Sequence, residues 1–291
     1  MQTTEALYSA ETSHNQMVTV TPNAGMDIME RKALFFDVDG TLLSEINRTV
    51  PESAVRAVSE ARRLGHVVFI NSGRVYCMLD FLNRLITMDG FLCGCGTRIL
   101  VNGKVEYSYT IPHSRGLEIK NSIINHKMDG WLEGTENSYF RKHTSWISKV
   151  ERVKATLKAE NGCVSPYGWE EECYDFDKFC VVADENSDKE GFFKSIPDFH
   201  IIDRGNNFYE CVPKGHSKAT AIEWVLKRYG IPRKQAYVFG DSTNDLPMFE
   251  YVPNGIVMGY HAKELEPYAS FITKTVEEDG VAYAMEKLEI I

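Results

Sequence analysis

The chain has 291 residues, 43% of them hydrophobic and 25% charged, and carries a formal net charge of −9. That composition describes a globular chain with room for one large domain or two modest ones, and it excludes collagen-like and disordered classes. Nucleic acids and anionic membranes are held by clustered Lys and Arg, so the acidic balance leaves neither as an expected partner.

Residues 1 to 30 are polar, without sustained periodicity, and read as a mobile N-terminal extension. They lack the basic and apolar regions of a signal peptide, and no apolar run approaches the roughly 18 residues that span a bilayer, so a cytoplasmic location is expected. The seven cysteines are odd in number and scattered, which reads as reduced thiols. Cys93-Gly94-Cys95 lacks C-x-x-C spacing and reads as small residues filling a buried turn.

From Ala33 the chain alternates strand and helix signals. Leu34-Phe35-Phe36 is a short continuous apolar strand of the kind buried on both faces. Pro51 to Leu64 has helical spacing through Ala54, Val58, Ala61 and Leu64, with Gly65 as its stop. A second strand, His66 to Ile70, completes a βαβ unit, which demands a parallel pair and a right-handed crossover. A helix is expected over Val75 to Leu85. From about 111 to 204 the pattern changes: a helix near Leu117 to His126, a hairpin of Trp131-Leu132 with Ser138 to Arg141, a helix Lys149 to Leu157, a strand Phe179 to Val182, then another helix and strand. The last third returns to the first grammar, with a helix Lys218 to Tyr229, strands at Ala236 to Phe239, Ile256 to Met258 and Phe271 to Thr273, and a helix after Gly280. The expected fold is α/β, a Rossmann-like parallel sheet core (31–110 plus 205–291) with an inserted α/β cap (111–204) lying over the ligand edge as a lid.

The candidate chemistry gathers where apolar strands end. Asp37 and Asp39 follow the first strand, and in extended backbone residues i and i+2 face the same way, so both carboxylates are expected in one pocket. Two carboxylates that close stay ionised only around a cation or with a shared proton. Mg2+ fits, because it rests on one or two carboxylates plus substrate phosphate. The string Asp37-Val38-Asp39-Gly40-Thr41 is expected by chance in roughly three of a thousand chains of this length, far rarer than D-x-D alone. Asn71-Ser72-Gly73-Arg74 ends the second strand, offering a hydroxyl and a close backbone approach before an expected helix N-terminus. Lys218 opens a helix against its dipole, which favours an anion before it, with Lys214 as the fallback. In Gly240-Asp241-Ser242-Thr243-Asn244-Asp245, Asp241 can complete a metal site, Asn244 can donate to phosphate and Asp245 can orient its neighbours; a capped helix start is compatible with all three.

Asp37-Val38-Asp39-Gly40-Thr41, Ser72, Lys218 and Gly240 to Asp245 resemble the four motifs of the haloacid-dehalogenase superfamily, and the placement of the insert resembles its Cof-type branch (subfamily IIB), from about residue 31 onward. One departure is Cys95-Gly96-Thr97 where relatives often carry Asn-Gly-Ala. The resemblance implies a phosphatase acting on a small phosphorylated metabolite, a sugar phosphate by preference, with Mg2+ as cofactor. Asp37 would be nucleophile and Asp39 acid/base; Asp37, the Asp39 carbonyl, Asp241 and Ser242 would hold Mg2+. Val38 through its backbone, Ser72, Gly73, Lys218 and Asn244 would bind phosphate, with Thr41, Arg74 and Asp245 in support. Relatives acting on carbon–halogen bonds lack the second aspartate, which disfavours dehalogenation. A phosphomutase on the same core and a non-enzymatic phospho-receiver or metabolite-binding protein are the alternatives. Trp131, Glu133, Tyr139 and Arg141 on the insert's hairpin are candidates for meeting a polyol, with sheet-face packing as the competing role. Oligomeric state is not legible in the sequence.

Overall fold

The computed structural model describes residues 30–160 and 163–291. The expected N-terminal extension, but for its last residue, lies outside them. The first segment contains β1 (Ala33–Phe36), α1 (Glu52–Arg63), β2 (Val67–Asn71), β3 (Gly90–Cys93), β4 (Arg98–Val101) and β5 (Lys104–Ser108). The middle contains α2 (His113–Asn125), β6 (Asp129–Glu133), β7 (Ser138–Tyr139), α3 (Ser148–Glu160), β8 (Lys178–Val182), α4 (Lys189–Ser195), β9 (Phe199–Asp203) and β10 (Phe208–Pro213). The last contains α5 (Lys218–Tyr229), β11 (Ala236–Gly240), α6 (Leu246–Tyr251), β12 (Asn254–Val257), β13 (Phe271–Ile272) and α7 (Gly280–Lys287).

Eight strands form one sheet in the order β13-β12-β11-β1-β2-β3-β4-β5. The run from β13 to β3 is parallel, and β4 and β5 add an antiparallel edge. The reason for the continuous apolar run in β1 is now visible. Leu34 and Phe36 enter a core with Ala54, Val58 and Ala61 of α1 and Met285 of α7, while Ala33 and Phe35 enter a second core with Ile222 and Val225 of α5. Strand order reverses at β1, which pairs with β2 on one side and β11 on the other, so a crevice opens at the carboxyl end of β1.

The middle segment forms its own antiparallel sheet, order β7-β6-β8-β10-β9, with α2 and α4 packed through Ile119, Ile123 and Phe192. Two expectations change here. The boundary at 204 cuts the β9–β10 hairpin, because β10 pairs with both β8 and β9 and belongs to the second sheet through Pro213. The helix expected over Val75 to Leu85 is replaced by two one-turn 3-10 segments, Tyr76–Met78 and Asp80–Arg84. These bury Met78 and Leu82 as a helix would, and side-chain bonds among Tyr76, Asp80 and Asn83 hold the tighter turns. Ser72 and Gly73 therefore have no long helix dipole behind them. Among the described residues no helix is long and apolar enough to cross a membrane.

Candidate active site

Asp37 begins where β1 ends, and its N–H still donates to Phe239 of β11 (2.9 Å), which seats the side chain in the crevice. Two residues on, the backbone turns at Gly40, whose φ of +76° suits glycine; a Cβ there would stand 2.6 Å from Asp241 Oδ2. Thr41 Oγ1 donates to Asp241 Oδ1 (2.9 Å), tying the β1 loop to the β11 loop.

Lys218 reaches this crevice from the start of α5, which is capped by the Ser217 side chain accepting from the Thr220 N–H. Its Nζ donates to Asp37 Oδ1 (2.7 Å) and Asp245 Oδ1 (2.5 Å). The anions that offset its unfavourable place at the helix start are thus two protein carboxylates. Lys218 is 1% exposed, and although burial acts to lower its pKa, Asp245 and Asp37 together raise it, so it stays charged. The other oxygen of Asp245 accepts from the N–H groups of Asp241 and Ser242 (2.9 Å each), the orienting role expected of it.

Asp37, Asp241 and Asp245 each offer a carboxylate oxygen, and these oxygens lie within 4.8 Å of one another. One lysine does not compensate three carboxylates. Burial, then repulsion from Asp37 and Asp245, pushes the Asp241 carboxyl up to about 9. Asp37 rises to about 7, with burial the main cause and Lys218 opposing it. A hard divalent cation fits this donor set, because the set is all oxygen and its excess negative charge is otherwise relieved only by protons.

Asp39 lines the same pocket as Asp37 and has cationic partners of its own. Arg74 holds its carboxylate in a two-point contact (2.7 Å twice), and Arg48 adds a third bond at 3.2 Å. Burial acts to raise the Asp39 pKa, but Arg74 and then Arg48 outweigh it and hold the carboxyl below its usual range. The like charges that looked awkward in sequence are separated by two cations, Lys218 for Asp37 and Arg74 for Asp39.

The remaining expected residues surround the same space. Ser72 is buried and its Oγ accepts from the Arg74 N–H (3.2 Å). Asn244 accepts from Ser242 Oγ (2.9 Å). Val38 turns into the core, as expected of the residue between the aspartates. A chamber of about 160 Å3 is lined by Asp37, Asp39, Ser72, Gly73, Arg74, Asp241, Ser242 and Asn244 from the core, and by Trp131, Glu133, Cys180, Arg204, Phe208 and Glu210 from the insert. Of the four hairpin candidates, Trp131 and Glu133 face the chamber. Tyr139 instead stacks on Tyr174 (3.7 Å), and Arg141 lies over Trp146 (3.8 Å).

The charged residues Lys178, Arg204 and Glu210, at or behind the chamber wall, were not anticipated from the sequence. Lys178 binds Glu133 and Glu210 (2.8 Å to Glu210), and Arg204 stands 3.9 Å from Glu210. Trp131 Nε1 and the Cys180 thiol donate to Glu133, and the Cys95 thiol donates to Glu210 (3.5 Å), so the departure at Cys95 is where the core touches the insert's charges. The available signal was a charge inside an apolar strand, as in Lys178-Phe179-Cys180-Val181-Val182 and Phe208-Tyr209-Glu210-Cys211-Val212.

Comparison with known proteins agrees with this geometry. Residues 34–285 match the family described as haloacid dehalogenase-like hydrolase. A Bacillus subtilis protein bearing the name "Putative phosphatase YkrA" is 30% identical over 265 residues, covering 90% of this chain and 100% of that protein. The Bacillus subtilis 5-amino-6-(5-phospho-D-ribitylamino)uracil phosphatase YitU is 24% identical over 84% of this chain and 93% of its own. Among solved structures, the HAD subclass IIB sugar phosphatase BT4131 superposes with a TM-score of 0.76 at 25% identity, covering 89% of this chain and 100% of that one. The chain belongs to the haloacid dehalogenase-like hydrolase family, in its Cof-type branch, and is an enzyme of that family with its α/β core and inserted α/β unit.

Proposed function

We propose that this enzyme is a Mg2+-dependent phosphatase that hydrolyses a small phosphorylated metabolite, with a sugar phosphate favoured by its likeness to BT4131, through an aspartyl-phosphate on Asp37. The observation that carries this reading is the buried Asp37–Lys218–Asp245 chain at 2.7 and 2.5 Å beside Asp241, at the reversal point of the sheet.

Lys218 occupies Oδ1 of Asp37, leaving the second oxygen to attack phosphorus. As that bond forms, the bond from phosphorus to the leaving oxygen breaks, and Asp39, freed from Arg74 and protonated from solvent, gives the leaving oxygen that proton. Water then passes a proton to Asp39 and attacks the phosphorus; the bond to Asp37 breaks and phosphate departs. For this cycle Asp39 exchanges Arg74 for the substrate, and the incoming anionic group promotes the exchange by competing for the same guanidinium. Ser72, the backbone N–H groups of Val38 and Gly73, Lys218 and Asn244 hold the phosphoryl oxygens in line. Asp37, Asp241, Ser242 and the Asp39 carbonyl would hold Mg2+, which when bound supplies charge neutralisation for those oxygens. Thr41 and Asp245 keep the Asp241 loop in place, and Arg74 stores Asp39 between turnovers.

The inserted unit, taken here as 111 to 213, acts as a lid, since it supplies one wall of the chamber. Buried thiols at Cys93, Cys95, Cys180 and Cys211 suit a reducing compartment, in keeping with a cytoplasmic enzyme. The test is phosphate release from a panel of sugar, nucleotide and cofactor phosphates, with and without Mg2+, beside Asp37→Asn. Release from none of them by the wild type, or full activity in the variant, overturns the proposal.

A further inference from the structure

The chamber opens outward into a larger cleft of about 600 Å3, and the two share Asp39, Arg74, Trp131, Arg204 and Phe208 as walls. A phosphoryl group bound at Asp37 would place its leaving group there. The far wall is α3 from Lys149 to Leu157, which contributes Lys149 and Arg152 as its charged residues. In a chain of net charge −9 this cleft has more cations than anions on its walls, with Arg48, Arg74, Lys149, Arg152 and Arg204 against Asp39, Glu45 and Glu133.

On the near side Arg48 and Arg74 both bind Asp39, Glu133 binds Lys178, and Glu45 is a further carboxylate of the wall. Lys149 and Arg152 are different. Arg152 takes only the Ser148 hydroxyl of its own helix (3.1 Å), and Lys149 rests on the Phe208 ring (Nζ 4.7 Å from its centre). Neither has a carboxylate partner among the described residues, and burial together with repulsion from Arg152 lowers the Lys149 pKa. Lys149 also stands in the first turn of α3, where the helix dipole disfavours a cation. Two unmatched cations facing a cleft are stabilised by an anion between them. The apolar surface separating them from the chamber, chiefly Trp131 stacked on Phe208 (5.4 Å), suits the body of a sugar or other ring.

We infer that the substrate is a phosphomonoester whose leaving group carries a second anionic group, phosphate or carboxylate, held by Lys149 and Arg152 at the far end of the outer cleft. The inference rests on the phosphatase reading and deepens it.

The test compares kcat/KM for glucose 6-phosphate, glucose 1,6-bisphosphate and 6-phosphogluconate in the wild type, in Lys149→Met/Arg152→Glu, and in the charge-keeping Lys149→Arg. In the wild type at least one of the two substrates with a second anionic group is expected to exceed glucose 6-phosphate about tenfold or more, with the ratio shrinking as NaCl screens the contact. Which of the two gains more tells phosphate from carboxylate. The double variant should bring the ratio to within about twofold of one, and Lys149→Arg should keep it. A structural role for these side chains would lower all three substrates together and leave the ratio intact. Hydrolysis of glucose 6-phosphate with no advantage for either substrate that carries a second anionic group, or an advantage that survives the double variant, overturns this inference and leaves the phosphatase standing. No release from any of the three, with Mg2+ present, overturns both.

Discussion

On the core side of the chamber Asp37 and Asp245 share the ammonium of Lys218, with Asp241 beside them; on the insert side Glu133 and Glu210 share Lys178, with Arg204 close by. Both groups are buried, yet they answer burial differently. In the insert, Lys178 and Arg204 outweigh burial and hold Glu210 below its usual range, so the cluster is charged and internally matched. In the core, burial first, with repulsion among the carboxylates added to it, pushes the carboxyls of Asp37 and Asp241 up against the pull of Lys218. The matched cluster is a wall. The unmatched one has unfilled electrostatic demand, which is what a site for a cation and a reacting group requires.

The contrast can be broken in four ways. The largest effect is expected on chemistry: Asp37→Asn should lower kcat by about 10^4-fold, the scale of losing a nucleophile, while the folded state survives because the amide still accepts from Lys218. Steady-state phosphate release with a thermal melt of the variant checks both halves. Next, Lys178→Met should reduce stability by about 3–5 kcal/mol in urea unfolding, because it leaves Glu133 and Glu210 buried without their shared cation. A loss below 1 kcal/mol would mean the insert cluster is not the tightly matched unit described.

A third effect separates the two sites by metal. Mg2+ at a hundred times its Kd should stabilise the protein by about 2.7 kcal/mol, and EDTA should remove that gain. The sign with pH follows from the raised carboxyls. Without metal the folded state binds more protons than the unfolded one between the ordinary value of 3.8 and about 9 for Asp241, so stability falls as pH rises through that window. Mg2+ should flatten the fall, and its binding near neutral pH should release protons, read as a buffer-dependent calorimetric heat. The smallest effect tests where the two sites meet. A Cβ on Gly73 would lie 2.8 Å from Glu210 Oε1 and 3.1 Å from Asn244 Nδ2, so Gly73→Ala should lower kcat/KM about tenfold, within the ~1–3 kcal/mol typical of overpacking. Unchanged kinetics would place the insert farther from the phosphate loop in the working enzyme.

Much of the site was legible because its signals are local. A strand that ends in Asp37-Val38-Asp39-Gly40-Thr41 announces itself through a period of two and a change from apolar to acidic. Lys218 was legible as a residue out of place at a helix start, and Asp245 as the orienter of its own loop. The 3-10 turns after Arg74 were not, because Val75, Met78 and Leu82 satisfy helical spacing and the tighter turns alike. The edge of the insert was misplaced for a similar reason: β10 carries Glu210 in mid-strand, and only its pairing with β8 and β9 assigns it to the second sheet.

The sequence by itself determined where most strands and helices around the site lie, and which side chains stand at the carboxyl edge, since backbone periodicity and turn chemistry act over a few residues. Only the tertiary structure decided which charge meets which. Lys218 finds Asp37 across 181 residues, and Glu133 finds Lys178 across 45. An ion pair's partner depends on distance and burial in the folded molecule, so it is the fold that brings Arg74 to Asp39 and sets Lys149 and Arg152 of α3 on the wall of the cleft.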